Sequence, residues 1–300
     1  MNTTIKISNF NELTLIGKKY PKNGVFELTN DIDASGKTYE GSIIEGFEGI
    51  LYGNGYKIYG LKIKNKNATA NLIYKINYNS RIENLSFEDC EIVGLTEVGV
   101  LAGINFGIVK NCHVFNSYIR GYDIVGGLVG SCFGKITHST VKNCRIEGYD
   151  SIGGLVGLSH DGILDHCYTK VRIISKGYFA GGIAGNNLTK SVLVNSYSIA
   201  MIQGGRDSIG GISGINKGLI QKCECTVYLN CPTAYNVGGI TGTNYHPGRL
   251  DSNKVTIADI QGILVGNIVG FDYSNGGVND KNTFDIVERS DACLASAGKI

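Results

Sequence analysis

One short glycine phrase recurs seven times in this chain, and no other feature restricts the possible folds so strongly. It stands intact as Val125-Gly126-Gly127-Leu128-Val129-Gly130 and Ile152-Gly153-Gly154-Leu155-Val156-Gly157, and variants of it begin at Val98, Ala180, Ile209, Val237 and Val265. The first glycines of successive copies are separated by 27, 27, 28, 29, 28 and 28 residues. A fixed length of chain therefore returns to the same environment each time, which is the signature of a solenoid.

A period of about 28 residues without helical spacing is too short for a strand-helix-strand unit, but it suits one coil of three short strands joined by turns. The expected fold is all-β: a right-handed parallel β-helix with equivalent strands of successive coils stacked at about 4.8 Å, giving a rod roughly 35–45 Å long. Glycine is expected for two reasons, positive φ at the coil corners and close backbone approach inside a narrow solenoid. With 43 glycines and 3 prolines in 300 residues, and no three-residue period, the composition excludes collagen and fits a turn-rich β structure.

Ser8 to Lys19 reads as a short helix, with Asn9 as its cap and Glu12 in capping-box register. It would form an N-terminal cap over residues 1–23, covering strand edges at one end of the stack. The solenoid is expected over 24–270. Beyond Gly270 the register is expected to fail, leaving 271–300 as an irregular C-terminal cap or tail, with 288–300 loosely packed or lying over that end.

Stacking predicts columns of like residues. One is an inward ladder of Leu85, Cys112, Ser139, Cys167, Ser196 and Cys223. A second includes Cys90, Ser117 and Cys144. A third, Asn105, Cys132, Ser159, Asn187, Asn216 and Asn244, places amides where they can bond from coil to coil.

Two phrases, Gly24 to Asp33 and Phe47 to Ile63, together with the Gly-Gly-Leu-Val-Gly cores at Gly126–Gly130 and Gly153–Gly157, resemble those of the GLUG-repeat proteins. The resemblance covers roughly residues 8–270. It implies a parallel β-helix of a kind found in many bacterial surface and secreted proteins, usually as a non-catalytic module. Some bacterial immunoglobulin A1 peptidases carry such repeats beside a catalytic domain with an H-E-x-x-H motif, and this chain has no such motif.

A net charge of +2 gives no electrostatic footprint for nucleic acid, so no nucleic-acid partner is expected. Nine cysteines without a tight pairing pattern point to a reducing compartment. No cleavable signal or membrane span is read in the sequence, and the expected location is cytoplasmic or reached through a dedicated secretion system.

Chemistry is sparse. Asp123, Asp150 and Asp207 occupy equivalent places before the glycine phrase, beside Glu97. Carboxylates one strand spacing apart approach the separation of a retaining glycosidase pair, but aspartate at a turn also accepts its own backbone N–H groups. His138 and His166 share a column and could bind a metal or relay a proton, or simply lie on a polar outer face. Cys223-Glu224-Cys225 lacks the usual zinc knuckle and reads as structural. Tyr122 and Tyr149 fall on equivalent corners with Tyr178 close by, a candidate strip for stacking sugars or docking protein. The expected function is a non-catalytic interaction protein that uses a rigid solenoid face to dock a protein or glycan, with Tyr122, Tyr149, Tyr178, His138 and His166 as binding residues and no cofactor or metal. The alternative is a β-helix carbohydrate-active enzyme, a glycoside hydrolase or lyase, using Asp123, Asp150 and Asp207.

Overall fold

The computed structural model describes residues 4–287. The chain is a parallel β-solenoid whose faces are three sheets of 22, 7 and 9 strands, the nine-stranded sheet taking one strand from each turn. That sheet begins at Ile44–Phe47 and ends at Val269–Tyr273. Among the described residues no helix is long and apolar enough to cross a membrane.

Each glycine phrase bends the chain from the seven-stranded sheet into the nine-stranded one: Asp123–Gly126 lies in the first, Val129–Cys132 in the second. Val125, Leu128 and Val129 are fully buried at this bend, and their counterparts in neighbouring coils lie directly above and below. Only one of the two expected reasons for glycine holds here. The phrase glycines do not have positive φ. They are needed for approach: a Cβ on Gly126 would stand 2.7 Å from the Val156 Cα of the next coil, and one on Gly130 would stand 2.7 Å from the Glu97 carbonyl carbon.

The left-handed corners are instead made by other residues. One column contains Glu97, Ile124, Ser151, Phe179, Ser208 and Asn236, with φ between 42° and 53°. Another contains Asn84, Asn111, His138, His166, Asn195, Lys222 and Ser252, with φ between 50° and 55°. Asparagine and histidine tolerate this region better than most residues, which accounts for much of the second column.

The three predicted columns form. Leu85 pairs with Cys112, and the Cys112, Cys167 and Cys223 backbone N–H groups donate to Ser139 Oγ, Ser196 Oγ and Asn253 Oδ1 of the following coil. In the asparagine column, Asn187 donates to Asn216 at 2.8 Å, Asn216 to Asn244 at 2.8 Å, and Asn244 to Asp272 at 3.0 Å. Register thus runs on past Gly270, where the sequence pattern ends: Val269–Tyr273 pairs with the preceding coil and Asp272 takes the asparagine position. Thr283–Ile286 adds one more strand on Lys254–Ile257.

At the other end the helix is a single turn, Phe10–Leu13, shorter than the predicted 8–19. Asn9 Oδ1 accepts the Glu12 N–H, and Glu12 Oε2 accepts the Ser8 N–H. Phe10, Leu13 and Ile16 are buried over the first turns of the core. The sequence reading of 288–300 lies outside the described residues.

Candidate functional site

The tyrosine corner follows from the coil geometry. Tyr122 and Tyr149 occupy successive turns, and the Tyr149 N–H donates to the Tyr122 carbonyl. Their rings are nearly parallel, 5.0 Å between centroids and 7° between planes. Near-parallel rings at this separation stack, each covering part of the other's π surface. In the next coil Gly177 sits against the Tyr149 ring, where a Cβ would come within 2.6 Å of it. Tyr178, one residue later, meets Tyr149 edge-on at 6.3 Å. The Arg206 guanidinium lies 5.5 Å from the Tyr149 centroid. Tyr122 is 55% exposed and Tyr235 53%, and a pocket of about 180 Å³ opens beside Tyr122 and Tyr149, lined also by Arg120, Glu147 and Lys176.

The three aspartates are not equivalent neighbours. Asp123 and Asp150 stand in direct register. Asp207 is separated from Asp150 by the coil carrying Ala180–Gly181, and its own register partner is Tyr235. Burial pushes the Asp123 carboxyl up, against hydrogen bonds from Ile124 N–H and the Ser151 side chain that pull it down. Burial and the Asp123 charge push Asp150 up, and burial with the same charge raises Glu97. Asp150 Oδ1 accepts the Ser151 N–H at 2.9 Å, and Asp207 Oδ1 accepts from Asn236 Nδ2 at 2.7 Å and Ser208 Oγ at 3.2 Å. These bonds tie the carboxylates to their own corner.

His138 and His166 stack with 5.0 Å between centroids and 2° between planes. His166 Nδ1 lies 2.7 Å from Asp165 Oδ1, which also accepts from Asn195 Nδ2. Burial pushes the Asp165 carboxyl up, but the hydrogen bonds from Asn195 and His166, together with the nearby charges of His166 and Lys135, outweigh it and hold it below the ordinary value. Among the described residues no group of three or more His, Cys, Asp or Glu side chains is placed to hold a metal ion. Cys223 and Cys225 are buried with their thiols on the Leu193 and Gly239 carbonyls, and burial pushes Cys223 up to about 12. They serve as core.

A second aromatic line was missed in the sequence. Phe106 and Phe133 stack at 4.9 Å, with Tyr78 packed on one end at 4.8 Å and His160 on the other at 5.8 Å, and Lys75 Nζ lies 5.0 Å from the Phe106 ring. Farther along the same corner Tyr245 and Tyr273 stack at 5.1 Å. The signal was available: each of these corner rings except Tyr78 directly follows a member of the asparagine column or its Asp272 extension.

No family model matches this chain. Over 98 residues, 29% of the chain, it is 33% identical to halomucin of Haloquadratum walsbyi, and that match spans 1% of halomucin's length. The fold is similar to the crystal structure of a candidate immunoglobulin A1 protease from Bacteroides ovatus, with a TM-score of 0.52, 15% identity, and coverage of 98% of this chain and 86% of that one. At that identity the likeness is one of fold alone.

Proposed function

We propose that this chain is a non-catalytic docking rod of the GLUG-repeat type, which holds a protein or glycan partner on a fixed solenoid face centred on the Tyr122, Tyr149 and Tyr178 corner. The observation carrying this reading is the Tyr122–Tyr149 stack, 5.0 Å and 7°, with Tyr122 exposed and Tyr149 half-buried at a corner whose backbone is bonded coil to coil. Tyrosine held this way offers large contact area with little side-chain entropy left to lose on binding. His138 and His166 would extend contact to a separate corner.

The test is a comparison of the wild-type chain with the Tyr122→Ala/Tyr149→Ala double variant in partner capture and on a glycan array. Loss of the captured partner with an unchanged β-sheet circular dichroism spectrum supports the reading. Equal capture by both proteins overturns it.

A second reading is favoured by one observation, the raised carboxyls of Asp123 and Asp150 on adjacent coils. In it the pair would act as acid and nucleophile on a glycosidic bond. Cleavage of a polysaccharide by the wild type that disappears in Asp123→Asn and in Asp150→Asn would place this reading first.

A further inference from the structure

Beside the tyrosine corner lies the outer face of the long strands Thr140–Gly148, Tyr168–Ser175 and Tyr197–Gly204. Cations concentrate there. Lys142 stands in register with Lys170, Arg145 with Arg172, and Arg120 with Glu147. Glu147 is the acid within this block and is taken by Arg145, whose Nε donates to it at 2.6 Å. On a chain whose net charge is only +2, the block is a strong local excess of positive charge.

Arg172 is held ready for an anion. Its Nη2 donates to the neutral Gln203 side-chain oxygen at 2.8 Å, and its Nε is covered without a hydrogen-bond partner. The guanidinium is thus oriented by an amide that leaves its charge uncancelled. With Nε covered and Nη2 on Gln203, a carboxylate would meet this guanidinium at its Nη1 end, as a charge-assisted hydrogen bond.

The residues between the cations are apolar. Phe115 adjoins Lys142, Ile199 adjoins Lys170, Met201 adjoins Arg172, and Ile174 adjoins Glu147, all half-buried in register. Arginine, methionine and aromatic residues on one flat surface are the composition of protein interfaces. A polyphosphate or sulfated glycan has no use for the aliphatic patches, whereas a polypeptide carries apolar side chains between its carboxylates.

We infer that this face seats an acidic polypeptide segment, with carboxylates on Lys142, Arg120 and Arg172 and apolar side chains on Ile174, Ile199 and Met201. This rests on the docking reading above and names the partner's class. The probe is fluorescent poly-L-glutamate, followed by anisotropy with the full chain. Binding that weakens as salt is raised, and that falls roughly tenfold or more in the exposed pair Arg120→Glu/Lys142→Glu and again in Arg172→Gln, supports the inference. Absence of poly-L-glutamate binding, binding unchanged in both variants, or capture of heparin or single-stranded RNA in its place overturns it. The Tyr122→Ala/Tyr149→Ala variant separates the two proposals. If it loses its partner while wild type ignores poly-L-glutamate, the corner stands and the acidic partner falls. If poly-L-glutamate binds in a charge-dependent way and the tyrosine variant captures its partner as wild type does, the reverse holds.

Discussion

Ser139 Oγ accepts the backbone N–H of Cys112, one coil away, at 3.2 Å. Both residues are fully buried. The same Oγ donates to the Thr137 carbonyl at 3.0 Å, so one hydroxyl serves two coils at once. Ser139→Ala leaves a buried donor without a partner, and a loss of about 1–3 kcal/mol is expected in urea denaturation. Ser196→Ala, which strips the Cys167 N–H in the same way, should cost a similar amount.

Gly126→Ala and Gly36→Ala should differ sharply. At Gly126 the added methyl collides with backbone of the same corner and of the next coil, whereas around Gly36 nothing lies within 4 Å. Overpacking of this kind costs about 1–3 kcal/mol or more. The Gly126 variant should melt clearly lower than wild type, and the Gly36 variant should melt with it.

Ile124 holds φ at 52°, a strained value for a β-branched residue, and is only half-buried. Asn236 occupies the equivalent corner position at φ 51°. Ile124→Asn should therefore stabilise the chain by about 1 kcal/mol, read as a higher denaturation midpoint.

Asp150 has its carboxyl raised by burial and by Asp123, so ionisation opposes folding. A folded value above the unfolded one means that the folded state binds more protons. The penalty is complete above the folded value and fades as pH falls through it toward the unfolded one. Asp150→Asn keeps an oxygen for the Ser151 N–H and removes the charge. It should be more stable than wild type at neutral pH, with the gap closing under acid conditions, as measured by thermal melts across pH.

Cys112, Cys132, Cys144 and Cys167 are buried and their thiols pushed up to about 12 by that burial. Thiolate is the reactive form. The ninth cysteine, Cys293, lies outside the described residues; with it replaced by serine, a disulfide reagent at mildly alkaline pH should find the native protein inert and should titrate its thiols fully once urea unfolds it.

The period of the glycine phrase fixed which residues lie above which, and the Cys-Ser and asparagine ladders follow from counting alone. What each corner does with φ was not legible in the same way. Glycine marks the tight approach at Gly126 and Gly130, while Ile124, half-buried, and His138 and Lys222, exposed, carry left-handed turns that no glycine announces. The histidine pair illustrates the limit: a shared column was visible, but the pairing of His166 with Asp165 depends on side-chain rotation at the turn. The basic face was hidden for another reason. Lys142, Arg145, Lys170 and Arg172 are scattered in sequence and balanced in the total charge, and only the register brings them together.

The two ends of the rod are unlike. Phe10, Leu13 and Ile16 plug the first turns, whereas among the described residues the last ones leave Phe271, Tyr273, Phe284 and Ile286 exposed. Within residues 4–287, then, growth has a direction: a repeat grafted after Val287 in place of the segment that follows would find a template with matching register and greasy contact, and the opposite end carries a stopper. Lengthening this scaffold by design is a task for the Val269–Ile286 pole.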